Sequence, residues 1–185
     1  MLNDKLFRTA GWCALVTGLL MLVIHVVPGG APASVGLILS IATLLGLTFV
    51  FYALFVAHRP ESAGLSQAGL ILWLLVFVLN LFVLVTNNMN MFLSSLGSLL
   101  WGLPFLIFGF LAYRSTRMPR GLAVLALLAG AVALILGIAG FLGSAAIVDG
   151  GNLVLDILML AWIVWLVIVF LSKKFTAAST GLAAA

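Results

Sequence analysis

Apolar residues run along this chain in six continuous blocks, separated by short breaks of charge, proline, glycine and asparagine. Each block is near the roughly 20 residues that cross a bilayer as a helix. The spacing predicts spans over about 10–27, 35–57, 68–85, 91–113, 121–142 and 153–171. The breaks are Pro28-Gly29-Gly30, His58-Arg59-Pro60-Glu61, Asn87-Asn88-Met89-Asn90, Arg114 to Arg120, and Gly143 to Gly151. Lys173-Lys174 follows the last run. Strands of a membrane barrel alternate lipid-facing and lumen-facing residues, whereas these runs do not alternate. Backbone groups in lipid must be satisfied internally, so continuous runs of this length read as helices. The expected fold class is all-α: a polytopic six-helix transmembrane bundle, with a single membrane domain over 1–175 and a flexible tail over 176–185.

Composition agrees with the pattern. Hydrophobic residues make up 65% of the chain, charged residues 6%, and the mean hydropathy is +1.40. A soluble domain carries roughly 25% charged residues. The formal charge of +4 and the isoelectric point near 9.9 do not indicate nucleic-acid binding. The eight Lys and Arg residues lie in short connections and form no long basic face to track phosphates. Cys13 alone can form neither an intramolecular disulfide nor a cysteine metal cluster. A cleaved signal peptide is disfavoured for span one, whose apolar run exceeds the usual 7–15 residues.

The charge pattern predicts orientation. With six spans, Lys5, Arg8, Arg59, Arg114, Arg117, Arg120, Lys173 and Lys174 all fall on one side. The alternate loops at 28–34, 87–90 and 143–152 carry no basic residue. The positive-inside bias then puts both termini in the cytoplasm. The basic inner loop with Arg114, Arg117 and Arg120 is expected to contact anionic lipid, or alternatively a docking protein.

Small residues mark where helices approach closely in lipid. Span five has Ala129, Ala133 and Gly137; span four has Ser94, Ser98 and Gly102; span two has Gly36, Ser40, Ala42 and Gly46. These three spans are expected to form the tight centre. Spans three and six, rich in Leu, Val, Ile, Phe and Trp, are expected at the periphery or against a partner protein. Pro104 within span four lacks an amide hydrogen and predicts a kink, read as a hinge or as an ordinary structural bend.

Intramembrane polar groups are the first candidates for chemistry. His25 and Asp156 are each expected about one turn from the outer end of their spans. With Asn87 and Asn88 they suggest a small outer-leaflet pocket for a polar head group or a proton. The plainer alternative leaves Asp156 wetted at the interface and His25 on a backbone group. Asn80 is expected to bond between helices. Trp73, Trp101, Trp162 and Trp165 lie deeper than an interfacial belt and fill gaps or line a ligand cavity.

Several activities lack their residues. No lysine lies within a span for a retinal Schiff base, and no H-E-x-x-H or G-x-S-x-G occurs. His25 and His58 stand near opposite faces and do not suit a bis-histidine haem. No catalytic residue, metal or cofactor is expected. An accessory or interaction subunit is the leading expectation. A small-molecule or lipid transporter using the outer pocket, and a pigment or haem subunit with one histidine ligand, are the alternatives.

The run from Gly109 through Tyr113-Arg114-Ser115 and Pro119-Arg120 to Ala123 resembles a bacterial family of six-span membrane proteins of unknown function. The opening Arg8-Thr9-Ala10-Gly11-Trp12, and Trp162 and Trp165 before the final lysines, are similar to the same family. The resemblance implies the six-span fold and a bacterial inner-membrane location, and carries no active residues.

Overall fold

The computed structural model describes residues 2–26, 33–86 and 90–172, and side chains at all of these except 2, 3, 25, 26 and 33. The chain is an all-α polytopic membrane protein. Its helices are α1 (Leu2–Val26), α2 (Ala33–His58), α3 (Ala63–Thr86), α4 (Met91–Arg114), α5 (Arg120–Phe141) and α6 (Ala145–Leu171). Each of the six is long and apolar enough to cross a bilayer. Large apolar residues such as Ile38, Val78, Val85, Leu142 and Ile168 are exposed, a surface suited to lipid rather than water.

Three helices begin earlier than hydropathy alone predicts. α1 starts at Leu2 rather than near residue 10, so Lys5 and Arg8 are helical. α3 starts at Ala63 rather than near 68, and α6 starts at Ala145 rather than near 153. The breaks are therefore shorter than their composition suggests. Between α5 and α6 the reversal falls on Gly143, whose φ is +74°. Ser144 N–H donates to the Ala139 carbonyl at 2.9 Å and Gly143 N–H to that of Gly140 at 3.1 Å, the two bonds of a Schellman cap. The Ser144 carbonyl then accepts from Ile147 and Val148, and α6 runs on through Gly150-Gly151. One left-handed glycine makes the turn, so the following glycines are free to be helical. A Gly143→Ala variant is expected to lose about 1–2 kcal/mol, because a Cβ is opposed by the positive φ. A thermal midpoint unchanged by this substitution would contradict the turn geometry.

Contacts gather in two compact units. In the first, drawn from Met1–Ala53 and Trp162–Ala185, α1 and the end of α6 run side by side in opposite directions. Phe7 meets Phe170 with ring centroids 5.7 Å apart. A Cβ on Gly11 would lie 2.8 Å from Leu171, and one on Gly18 3.1 Å from Ile163. Gly46 of α2 faces the buried Thr17, and Phe51 meets Trp162 at 5.9 Å. Lys173 and Lys174 lie outside the described residues, as does the expected tail.

In the second unit, Leu54–Ala161, α4 and α5 approach until their backbones touch. Gly102 and Gly130 face each other. Gly137 packs on Leu99, Gly109 on Leu127 and Gly140 on Ser95. Half of the α5 span is buried, against 17% for α3, the least enclosed. The small residues expected in span five are buried: Ala129, Ala133 and Gly137. In α4 the contact stripe runs through Ser95, Leu99, Gly102, Leu106 and Gly109 rather than through Ser94 and Ser98.

α3 sets four buried residues, Ser66, Gly69, Trp73 and Val76, along one stripe. Gly69 admits the ring of Phe108. Trp73 stands edge-on to Trp101 at 5.3 Å, and Trp101 stacks on Phe105 at 6.0 Å. These deep indoles fill space between helices.

Candidate functional site

The outer pocket expected from sequence has one described side chain. Asn87 and Asn88 lie outside the described residues, as does the side chain of His25. Asp156 is half-buried on α6, and the early start of that helix sets it further from the helix N-terminus than expected. At 1.5 Å per residue it stands roughly 16 Å along the axis from Ala145, well beyond the one turn expected. Asp149, expected in a turn, is helical. Asp149, Asn152 and Asp156 recur at three- and four-residue intervals and so share one face of α6.

Six other polar groups of the spans close on their own helices, while the buried Thr17 hydroxyl has no hydrogen-bond partner among the described residues. Thr43, Thr48, Asn80, Thr86, Ser95 and Ser98 each donate to the carbonyl four residues back, at 2.7–3.1 Å. Asn80 thus bonds Val76 of its own helix rather than a neighbouring one. Asn90 caps α4, its Oδ1 accepting from Leu93 N–H at 2.9 Å. Pro104 is buried inside α4, which continues through it to Arg114. Its missing donor leaves the Leu100 carbonyl without the usual helical partner.

A set of polar side chains joins separate elements at the opposite, basic end of the second unit. α2 stops at His58 because Pro60 cannot donate and restricts Arg59. The His58 carbonyl accepts from Glu61 N–H at 3.0 Å and Ser62 N–H at 3.1 Å, closing a tight turn. That turn brings the Glu61 carboxylate to the His58 ring, with Nδ1 3.2 Å from Oε2. At the end of α4, Ser115 is extended and buried. Its hydroxyl donates to Glu61 Oε1 at 2.6 Å and accepts from Arg117 N–H at 3.1 Å. Met118, 4% exposed, anchors the same connection. Glu61 therefore ties the α2–α3 turn to the α4–α5 connection.

The His58 ring is 1% exposed and lies 6.4 Å from the ring of Phe108. Its Nε2 is buried and has no hydrogen-bond partner among the described residues. The order of the three groups matters chemically. The serine proton is directed at the carboxylate, not at the imidazole, so His58 is not placed to activate Ser115 as a nucleophile. The arrangement instead resembles a clamp with one free imidazole nitrogen. Among the described residues no group of three His, Cys, Asp or Glu could hold a metal ion.

Four arginines, Arg59, Arg114, Arg117 and Arg120, lie in or at the margins of the same two connections. Arg114 and Arg120 are exposed, and Arg117 is half-buried. Arg59 stands over Phe55 at 6.0 Å and Arg114 over Phe110 at 5.6 Å. The Glu61–Ser115 bond brings these connections together, so the four charges gather at one end of the unit. In the sequence His58 and Glu61 mark a break between spans, and His58 otherwise enters only as an unsuitable haem partner for His25. Their spacing of three around a proline was the available local signal; the pairing with Ser115 had none.

The chain matches no family model, no curated protein and no solved structure.

Proposed function

We propose that this protein is an accessory or interaction protein of a bacterial cytoplasmic membrane, with both termini inside and its arginine-rich end facing anionic lipid. The observation that carries this reading is the use made of the polar groups. Six polar side chains within the spans, Thr43, Thr48, Asn80, Thr86, Ser95 and Ser98, bond back along their own helices. The clamp that crosses between elements is spent on holding two connections together. Polar chemistry here serves architecture.

The charge distribution supports the orientation, since Arg59, Arg114, Arg117 and Arg120 share one end of the second unit. The resemblance of the Tyr113-Arg114-Ser115 to Pro119-Arg120 run to a bacterial six-span family supports the location. In this structure that run supplies the clamp serine.

α3 is the partner-facing helix in this reading. It is the least enclosed span, and its exposed residues Ile71, Leu75, Val78, Phe82 and Val85 recur at alternating intervals of four and three. That spacing is the seam along which two helices interdigitate. A photoreactive residue at position 78 or 82, irradiated in native membranes, is expected to give one discrete protein adduct. The same residue at the exposed Ile135 of α5 serves as the control. Adducts to lipid alone from all three positions would refute the interaction role.

A further inference from the structure

We infer that His58, oriented by Glu61, is a proton-binding site whose occupation releases the α2–α3 turn from the α4–α5 connection. The inference starts from the two nitrogens of the ring. Nδ1 faces the Glu61 carboxylate, an acceptor, so the single proton of a neutral imidazole belongs there. Nε2 is left as a bare lone pair, buried with no partner among the described residues. That is a stable arrangement only while Nε2 carries no proton. A proton added at Nε2 creates a buried N–H with no acceptor, and a desolvated donor is among the costlier defects in a folded interior.

The charged groups around the ring do not remove this difficulty. Glu61, from the adjoining turn, attracts the imidazolium, but it does so through Nδ1 and one oxygen, and its other oxygen is committed to Ser115. Arg117, from the α4–α5 connection, acts on His58 as a like charge. From α4 the packed group is the apolar ring of Phe108. The relief available to a protonated ring is to turn Nε2 toward water. That movement breaks the Nδ1–Glu61 bond and frees the carboxylate, whose side chain is already 27% exposed. With Glu61 loosened, Ser115 loses its anchor and the two connections part. The closed clamp therefore belongs to the higher-pH side of the imidazole range and opens as pH falls through it.

The full chain in lipid nanodiscs tests this directly, because it holds only two histidines. With His25 replaced by Asn, nitrogen-15 resonances of the remaining imidazole report which nitrogen carries the proton. The expected result at high pH is a proton on Nδ1 and a bare Nε2. Amide hydrogen exchange over 59–62 and 115–119 is then compared with that of His58→Gln at each pH. The ratio is expected to rise roughly tenfold, in both segments together, as pH falls through the imidazole range. In Ser115→Ala, which keeps the His58–Glu61 pair but cuts the link, only segment 59–62 should respond. A ratio constant across pH, or a high-pH ring protonated on Nε2, overturns the proposal.

Discussion

Replacing Gly130 by leucine is expected to drive α4 away from α5 and to abolish the folded protein in mild detergent. A Cβ on Gly130 would lie 2.8 Å from the Gly102 carbonyl oxygen, and one on Gly102 would lie 2.7 Å from that of Gly130. The obstacle is backbone in both directions, so no rotamer change relieves it. Alanine at either position already forces the helices apart, at about 1–3 kcal/mol by analogy with overpacked cores. Leucine adds a side chain with nowhere to go. The effect is large because helices in lipid gain nothing from hiding apolar surface; they associate through close van der Waals contact, which falls away with separation. Gly64 and Gly150 provide the control. A Cβ at either meets nothing within 4 Å, and both lie in helices. Alanine there is expected to be neutral or to stabilise by about 0.5–1 kcal/mol, through the lower entropy cost of ordering alanine in a helix. Thermal unfolding followed by tryptophan fluorescence ranks the four alanine variants. A Gly130→Ala protein as stable as Gly150→Ala would mean that α4 and α5 do not meet at this glycine pair.

Glu61→Ala is the second substitution expected to act strongly. Its carboxylate accepts from two groups, His58 Nδ1 at 3.2 Å and Ser115 Oγ at 2.6 Å. Removing it leaves a buried imidazole and a buried hydroxyl without their acceptor. Hydrogen bonds to charged groups are worth roughly 1.5–3 kcal/mol each. The side chain is 27% exposed, so water replaces part of the loss, and a net cost of about 2 kcal/mol is expected. Glu61→Gln keeps one acceptor oxygen and should cost about half as much. The link itself is measured by a double-mutant cycle of Glu61→Gln with Ser115→Ala. A coupling of about 1 kcal/mol is expected for residues in direct contact. Strictly additive losses would show that the two connections are not joined through this bond. Sequence separation makes the cycle informative: these residues are 54 positions apart, so coupling between them reports tertiary structure alone.

The two sites differ in how far they could be read from sequence. The glycine contact was partly legible. Small residues at four-residue intervals in span five pointed to a close-packed face, and Ala129, Ala133 and Gly137 are buried there. In span four the expected register through Ser94, Ser98 and Gly102 shares only Gly102 with the contact stripe, which runs through Ser95 and Gly109. A stripe of small residues shows that a helix can be approached closely; which neighbour approaches, and at what rotation, depends on the facing surface. The clamp was not legible. Hydropathy reads His58-Arg59-Pro60-Glu61 as a break between spans, and a break looks the same whether its side chains face water or each other.

The boundary of α6 separates the two kinds of information most clearly. Glycines and an asparagine over 143–152 have the composition of a loop, yet residues from Ala145 onward are helical. Gly143 makes the reversal by itself, and the chain beyond it enters lipid, where helical hydrogen bonding is the way a single segment satisfies its backbone. Asp149 and Asp156 moved from a loop and its margin onto one helical face as a consequence.

By itself the sequence determined that the protein crosses a membrane, that it does so as helices, and that there are six of them. These follow from apolar runs of sufficient length and from the cost of unpaired backbone in hydrocarbon, both local properties. Tertiary structure alone decided that Gly102 meets Gly130, that Glu61 holds Ser115, and that one nitrogen of His58 is buried without a partner among the described residues. Those depend on which surfaces meet after the spans have formed, and short-range periodicity carries no record of a partner many residues away.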